Sequence, residues 1–261
     1  MKSFIKYTMA TVVGIFLTMT LFTIISIISL AGMMATEGMS APIKEKSILR
    51  LDLSGTLAER SESNPFAALM GEENTALSLE DALLALDKAA KNENIIGVYL
   101  EGGAMGANPG MAQELRQALV EFKESGKWVV AYGDSYGKTA YYLSSVADSV
   151  LLNPEGNVDF GGMASQIMFY KDVMEKIGVK MQVFKVGTYK SAVEPFICTE
   201  MSPANREQVT SYLFSIWTNM LKDVAESRNM EVGKLNSLAD SLTMISEASV
   251  ALNGGLVDKL C

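Results

Sequence analysis

Residues 95–133 read IIGVYLEGGAMGANPGMAQELRQALVEFKESGKWVVAYG. The first eight, Ile95 to Gly102, form a β-branched and aromatic run that stops at glycine, the composition of a strand. Met111, Leu115, Ala118, Leu119 and Phe122 then share one face of a helix, Gly126 ends it, and KWVVAYG is a second strand. Strand, helix and strand in that order predict a parallel pair joined by a crossover helix.

The alternation extends both ways. Upstream, SILRLDLSG (Ser47 to Gly55) has strand character and closes on a turn glycine. TLAERSESNPFAALMGEENTA follows without clean periodicity, as a long loop or short-helix insertion. Ser78 with Asp81 then resembles a capping box for a helix whose Leu79, Leu83, Leu86 and Ala90 share a face. Downstream, a helix runs from Lys138 through Tyr142 and Val146, followed by the strand SVLLN and the turn PEGN, Pro154 to Asn157. FYKDVMEKIGVKMQVFKVG predicts a helix ending near Gly178 and a further strand ending at Val186. A long helix follows, with Ser202 as cap and Pro203 at its first position. SEASVALNGGLVDKL closes the chain as a short helix stopped at Gly254 and a last valine-containing strand. The fold class is therefore α/β with a mostly parallel sheet.

Ahead of this domain, no charged residue occurs between Lys6 and Glu37. The intervening apolar run is roughly twice a secretory h-region in length and reads as a membrane span, with a cleaved signal peptide as the alternative. Lys2 and Lys6 precede it, so the positive-inside rule keeps the N-terminus cytoplasmic and sends the bulk across the membrane. The expected organisation is a cytoplasmic stub and signal anchor at 1–36, a polar tether at 37–46 and one domain at 47–261.

Composition then excludes several chemistries. The 261 residues carry 22 Lys and Arg against 30 Asp and Glu, an acidic balance ill suited to nucleic acid. Cys198 and Cys261 are the two cysteines, and their spacing demands no disulfide. Histidine is absent, which removes the Ser-His-Asp triad and nearly every zinc site with an imidazole ligand. A nucleophilic mechanism here needs another base, and lysine is the obvious replacement.

Ligand-facing loops in parallel α/β units leave the carboxyl ends of strands. EGGAMGANPG gathers Gly102, Gly103, Gly106 and Gly110 around Pro109, a composition that suits an oxyanion hole or merely a flexible connection. GDSYGKTAYY leads straight into a helix, where a hydrolase would carry serine, yet Lys138 follows Gly137 there. GTYKSAVEPF holds Lys190 between the Gly187 turn and Pro195. An amine near its free pKa of about 10.4 is no base, but burial among Tyr189, Val193 and Phe196 would lower that value. Local composition alone leaves a solvated lysine as the commoner reading.

GTYKSAVEPF followed by MSPANRE, together with YGKTAYYLSSVADSVLLNPEGNVDFGG and ALNGGLVDKL, resembles the signal peptide peptidases of the SppA (protease IV) family. The resemblance runs from the anchor to Leu260. It implies a crotonase-like, ClpP-like fold of repeated ββα units and a membrane-anchored serine peptidase with a Ser/Lys dyad, needing no cofactor or metal. In the long form of that family two similar halves lie in tandem, the first offering the lysine and the second the serine. This chain is similar to the first half, and Lys190 matches the general-base lysine.

The position matching the family's nucleophilic serine is occupied by Lys138, and Ser135, Ser144 and Ser145 stand elsewhere. The resemblance thus implies a serine-bearing C-terminal half or partner chain, hydrophobic remnant signal peptides as substrates, contact with membrane lipid, a homo-oligomer, and a bacterial inner-membrane location. The competing reading is a non-catalytic, membrane-anchored scaffold that grips apolar peptides. A crotonase-type acyl-CoA enzyme fits less well, because the domain faces away from the cytoplasmic CoA pool.

Overall fold

A computed structural model describes residues 2–37, 42–61, 77–241 and 243–261. The chain divides into two units, Met1–Lys44 and Glu45–Cys261. In the first, helix α1 spans Lys2–Glu37. Within it Ser3–Ser29, 27 residues of mean hydropathy 2.3, is long and apolar enough to cross a membrane. The hydroxyls of Thr8, Thr11, Thr18, Thr20 and Thr23 each donate to the carbonyl four residues earlier, so these polar groups are satisfied within the helix.

The second unit is built on strands β1 (Ser47–Ala58), β2 (Leu77–Ser78), β3 (Ile95–Gly106), β4 (Trp128–Gly133), β5 (Ser149–Leu152) and β6 (Lys259–Leu260). They form one sheet in the order β2-β1-β3-β4-β5-β6, with every pair parallel. Helices α2 (Leu79–Lys91), α3 (Pro109–Glu124) and α4 (Lys138–Ser144) make the crossovers. The quoted stretch is therefore β3, α3 and β4, with Val98 opposite Val129 and Leu100 opposite Ala131.

Local chemistry sets the ends of these elements. Ser78 caps α2 by accepting from the Asp81 amide at 3.3 Å. Asn108 caps α3, which begins with Pro109. Gly126 beyond α3 has φ +81°, a conformation glycine adopts at no steric cost. The insertion expected after Gly55 begins later than the sequence suggests, since β1 continues to Ala58, and residues 62–76 lie outside the described residues.

The strands bury alternate side chains on one face. Leu51, Leu53, Val98, Leu100, Val129, Ala131, Val150 and Leu152 join the apolar faces of the helices in one core. The intervening residues, among them Arg50, Tyr99, Glu101, Val130, Tyr132 and Leu151, remain partly or fully exposed. Parallel sheets are ordinarily covered on both sides, whereas among the described residues this sheet is open on one face.

Beyond β5 lie α5 (Lys171–Lys176), a 3₁₀ turn at Ser191–Val193, α6 (Glu194–Ile197), α7 (Pro203–Arg228), α8 (Val232–Asp240) and α9 (Ala248–Gly254). One expected strand is missing here. Residues 179–186 show alternating apolar residues but pair with no strand among the described residues. A strand needs a neighbouring ladder for its backbone groups, and periodicity alone does not supply one. The closing strand is also displaced, since β6 is Lys259–Leu260, just after Val257.

Candidate active site

The glycines after Leu100 were expected in a loop, but Gly102, Gly103 and Gly106 belong to β3. Leu53 pairs with Gly102 and Gly55 with Met105, so β3 carries one extra residue across this step. The bulge brings the Gly103 carbonyl to the Gly137 amide, which donates to it at 2.9 Å. Gly102 is required by a neighbour, because a Cβ there would lie 2.2 Å from the Tyr136 ring. Tyr136 is buried with its hydroxyl donating to the Leu151 carbonyl at 2.9 Å, and burial pushes its phenol well above the ordinary range.

Gly137 thus docks the N-terminus of α4 onto the end of β3. Lys138 takes the first position of α4, and its Nζ donates to the Gly162 carbonyl at 2.6 Å. No serine occupies this helix start. Ser144 and Ser145 lie buried one to two turns further along. Ser145 Oγ accepts from Arg116 at 2.8 Å, which assigns it to the core.

Lys190 stands at the head of the 3₁₀ turn, three residues after Gly187, whose φ is +97°. Its surroundings are fastened to the first two turns of α7. The Tyr189 hydroxyl donates to Glu207 at 3.2 Å. Glu194, only 2% exposed, accepts from the Ser202 hydroxyl at 2.6 Å, the Ser202 amide at 3.2 Å and Asn205 Nδ2 at 2.9 Å. Those Ser202 bonds hold the Glu194 carboxyl below the usual carboxylate range against the opposing effect of burial. On the other side the Tyr170 amide donates to the Pro195 carbonyl at 2.6 Å, and the Tyr170 and Phe196 rings stack.

The expected burial of Lys190 among Tyr189, Val193 and Phe196 is not provided by this chain. Lys190, Tyr189 and Phe196 are all exposed, because Tyr189 reaches for Glu207 and Phe196 for Tyr170. Apolar side chains shortly before them in the chain are exposed as well, Phe184 at 87% and Val186 at 90%. An open groove of about 510 Å³ runs along α7 past Pro203, Arg206, Glu207 and Phe214. Among the described residues, no hydrogen bond, ion pair or ring contact joins segment 185–197 to the end of β3 or the start of α4. No cluster of potential metal ligands occurs there either, and Cys198 and Cys261 form no disulfide with each other.

The sequence singles out Lys190 as a candidate and Ser202 as a helix cap, and the cap forms; it does not single out the buried pair Glu194 and Asn205. The available signal was a lone carboxylate inside the apolar run AVEPFI, shortly before a helix cap.

Comparison with known proteins adds independent findings. The chain is 34% identical to Protease 4 of Salmonella typhi over 239 residues, 86% of this chain and 39% of the relative. It is 32% identical to Protease 4 of Haemophilus influenzae over 203 residues, 75% of this chain and 33% of the relative. It thus spans less than two fifths of the length of either. Among solved structures, the 1510-N membrane-bound stomatin-specific protease superposes with a TM-score of 0.44 at 10% identity, covering 85% of this chain and 81% of that one. Peptidase family S49 matches residues 121–261. With that match over more than half its length, this chain belongs to peptidase family S49.

Proposed function

We propose that this chain is the lysine-bearing part of a membrane-anchored serine endopeptidase of the Ser/Lys type, acting on remnant signal peptides. Lys190 is the general base, and a serine-bearing C-terminal half or partner chain supplies the nucleophile. The observation that carries the reading is the mounting of Lys190: its turn is bolted to α7 through Tyr189 and Glu194, while its side chain projects into solvent beside unmatched apolar residues. A surface lysine needs no such mount.

In the assembled enzyme the partner covers this surface and strips water from the Lys190 amine, the condition under which an amine is neutral. The amine then takes the proton of the partner's serine hydroxyl as its oxygen attacks the scissile carbonyl. It returns that proton to the amine leaving group, freeing one product and leaving an acyl-enzyme for water to hydrolyse. The exposed apolar side chains and the groove along α7 suit an apolar peptide. Apolar helix α1 suits anchoring in a bacterial inner membrane with the N-terminus cytoplasmic, the bulk of the chain outside, and a homo-oligomer as the working form.

Lys190→Ala in the assembled enzyme is expected to lower kcat/KM on an internally quenched apolar peptide by about 10³-fold. Hydrolysis by the isolated chain should rise when the serine-bearing partner is added. Full activity in the variant, or no gain on pairing, overturns the assignment. Lys138 at the helix start favours one alternative, a scaffold that binds apolar peptides without cutting them. That alternative predicts unchanged peptide affinity and unchanged associated activity in Lys190→Ala.

A further inference from the structure

We infer that Glu194 is a positioning residue for Lys190, a buried carboxylate that clamps the lysine turn onto the N-terminus of α7 and so sets where the amine meets the reacting hydroxyl. The inference rests on the reading of Lys190 as the base.

The geometry is that of a two-sided clamp. Glu194 lies four residues beyond Lys190, at the start of α6, directly after the 3₁₀ turn that Lys190 heads. Its Oε1 accepts from Ser202 Oγ, while Oε2 accepts from the Ser202 amide and from Asn205 Nδ2. Ser202 also caps α7 by accepting from the Asn205 amide at 3.2 Å. The donors are thus one capping residue and one buried side chain of the same helical turn, and Asn205 is itself 3% exposed. Two carboxylate oxygens held by three donors from one rigid helix fix α6 in translation and rotation together.

A carboxylate this buried is rare unless it is held or has work to do. The other ties of the lysine segment hold one point each: the exposed Tyr189 hydroxyl on Glu207, and the Tyr170 amide on the Pro195 carbonyl with its ring against Phe196. Without Glu194 the segment between Gly187 and Pro203 keeps its covalent path but loses its buried anchor on α7, leaving the exposed Tyr189–Glu207 bond. A misplacement of about 1 Å at a catalytic group costs on the order of 10²-fold in rate.

The test uses the full-length chain in the detergent-extracted assembly that carries peptide hydrolysis, with an internally quenched apolar peptide as probe. Glu194→Gln keeps the volume but removes the charge that holds the three donors, and its amide NH2 can face only the Ser202 hydroxyl, reversing that bond. The expected result is kcat lowered about tenfold to 10²-fold with KM changed less than about twofold. A double-mutant cycle separates positioning from general damage. In the Lys190→Ala background, adding Glu194→Gln should change the residual rate less than about twofold, because a residue that acts through Lys190 has nothing left to position. Should Glu194→Gln fail to fold, Asn205→Ala probes the same clamp and is expected to show the same kcat loss and the same non-additivity. An inactive Lys190→Ala alongside clamp variants of unchanged kcat overturns the positioning role alone. Equal losses in both backgrounds overturn it too, since they mark a purely structural part. An active Lys190→Ala overturns the base reading and this inference together.

Discussion

Arg116 stands on the buried face of α3, 4% exposed, in line with Leu115 and Leu119. Its guanidinium donates to the Tyr142 carbonyl and Ser145 Oγ on the α4 side, and to the Asp223 carbonyl and Ser227 Oγ on α7. It also lies 4.6 Å from the centre of the Tyr142 ring, whose hydroxyl donates to Asp223 at 2.5 Å. One planar fork therefore locks three helices, and burial holds its pKa below the ordinary value without leaving it unpaired. Arg116→Met should destabilise the chain by about 2–4 kcal/mol, read as a shift in urea unfolding, because two carbonyls and two hydroxyls lose their donor. The apolar stripe of α3 was legible from spacing. Arg116 was not, since its partners lie from 26 to 111 positions away along the chain.

At the scale of elements, the alternation of strands and helices followed from periodicity and glycine stops, and Ser78 and Ser202 cap the helices expected of them. The strand expected over 179–186 finds no neighbouring edge among the described residues, while the two-residue β6 succeeds because it is held from outside. Asp258 accepts from the Val150 amide at 2.7 Å and from Arg228 on α7 at 2.7 Å, fastening β6 to β5 and α7 at once. Burial raises the Asp258 pKa, but the Arg228 bond and the Val150 amide outweigh it, so the folded value is depressed. A depressed carboxylate contributes stability above its unfolded pKa of about 3.9, and that contribution is lost as pH falls through the folded value. Asp258→Asn should therefore cost about 1 kcal/mol at pH 7, a modest figure because the Asp258 side chain is 40% exposed. The difference from wild type should shrink in urea titrations as pH falls below the unfolded value and through the depressed folded one.

At the scale of the molecule, the unfilled surfaces are the informative ones. Among the described residues the sheet leaves one face open, the segment carrying Lys190 presents Phe184 and Val186 to solvent, and α7 presents Phe214. If a partner covers the lysine segment, Phe184→Ser combined with Val186→Ser removes apolar contact area there without disturbing the core. Such exposed substitutions should shift the stability of the isolated chain by less than about 0.5 kcal/mol. They should nonetheless reduce the assembled mass in sedimentation and lower hydrolysis with it. An unchanged assembly would place the contact elsewhere.

From the sequence alone came the apolar N-terminal segment, the parallel α/β order, the helix caps, the absence of imidazole chemistry and the choice of Lys190. These are matters of composition or of neighbours within a few residues, where spacing, turn residues and capping act. Tertiary structure alone decided that residues 179–186 pair with no strand among the described residues, that Lys138 reaches Gly162, that Lys190 is exposed in this chain, and that Glu194 is buried against Ser202 and Asn205. Ladder pairing, solvent exposure and the satisfaction of a buried charge depend on groups brought together by folding, and a linear pattern does not contain their positions.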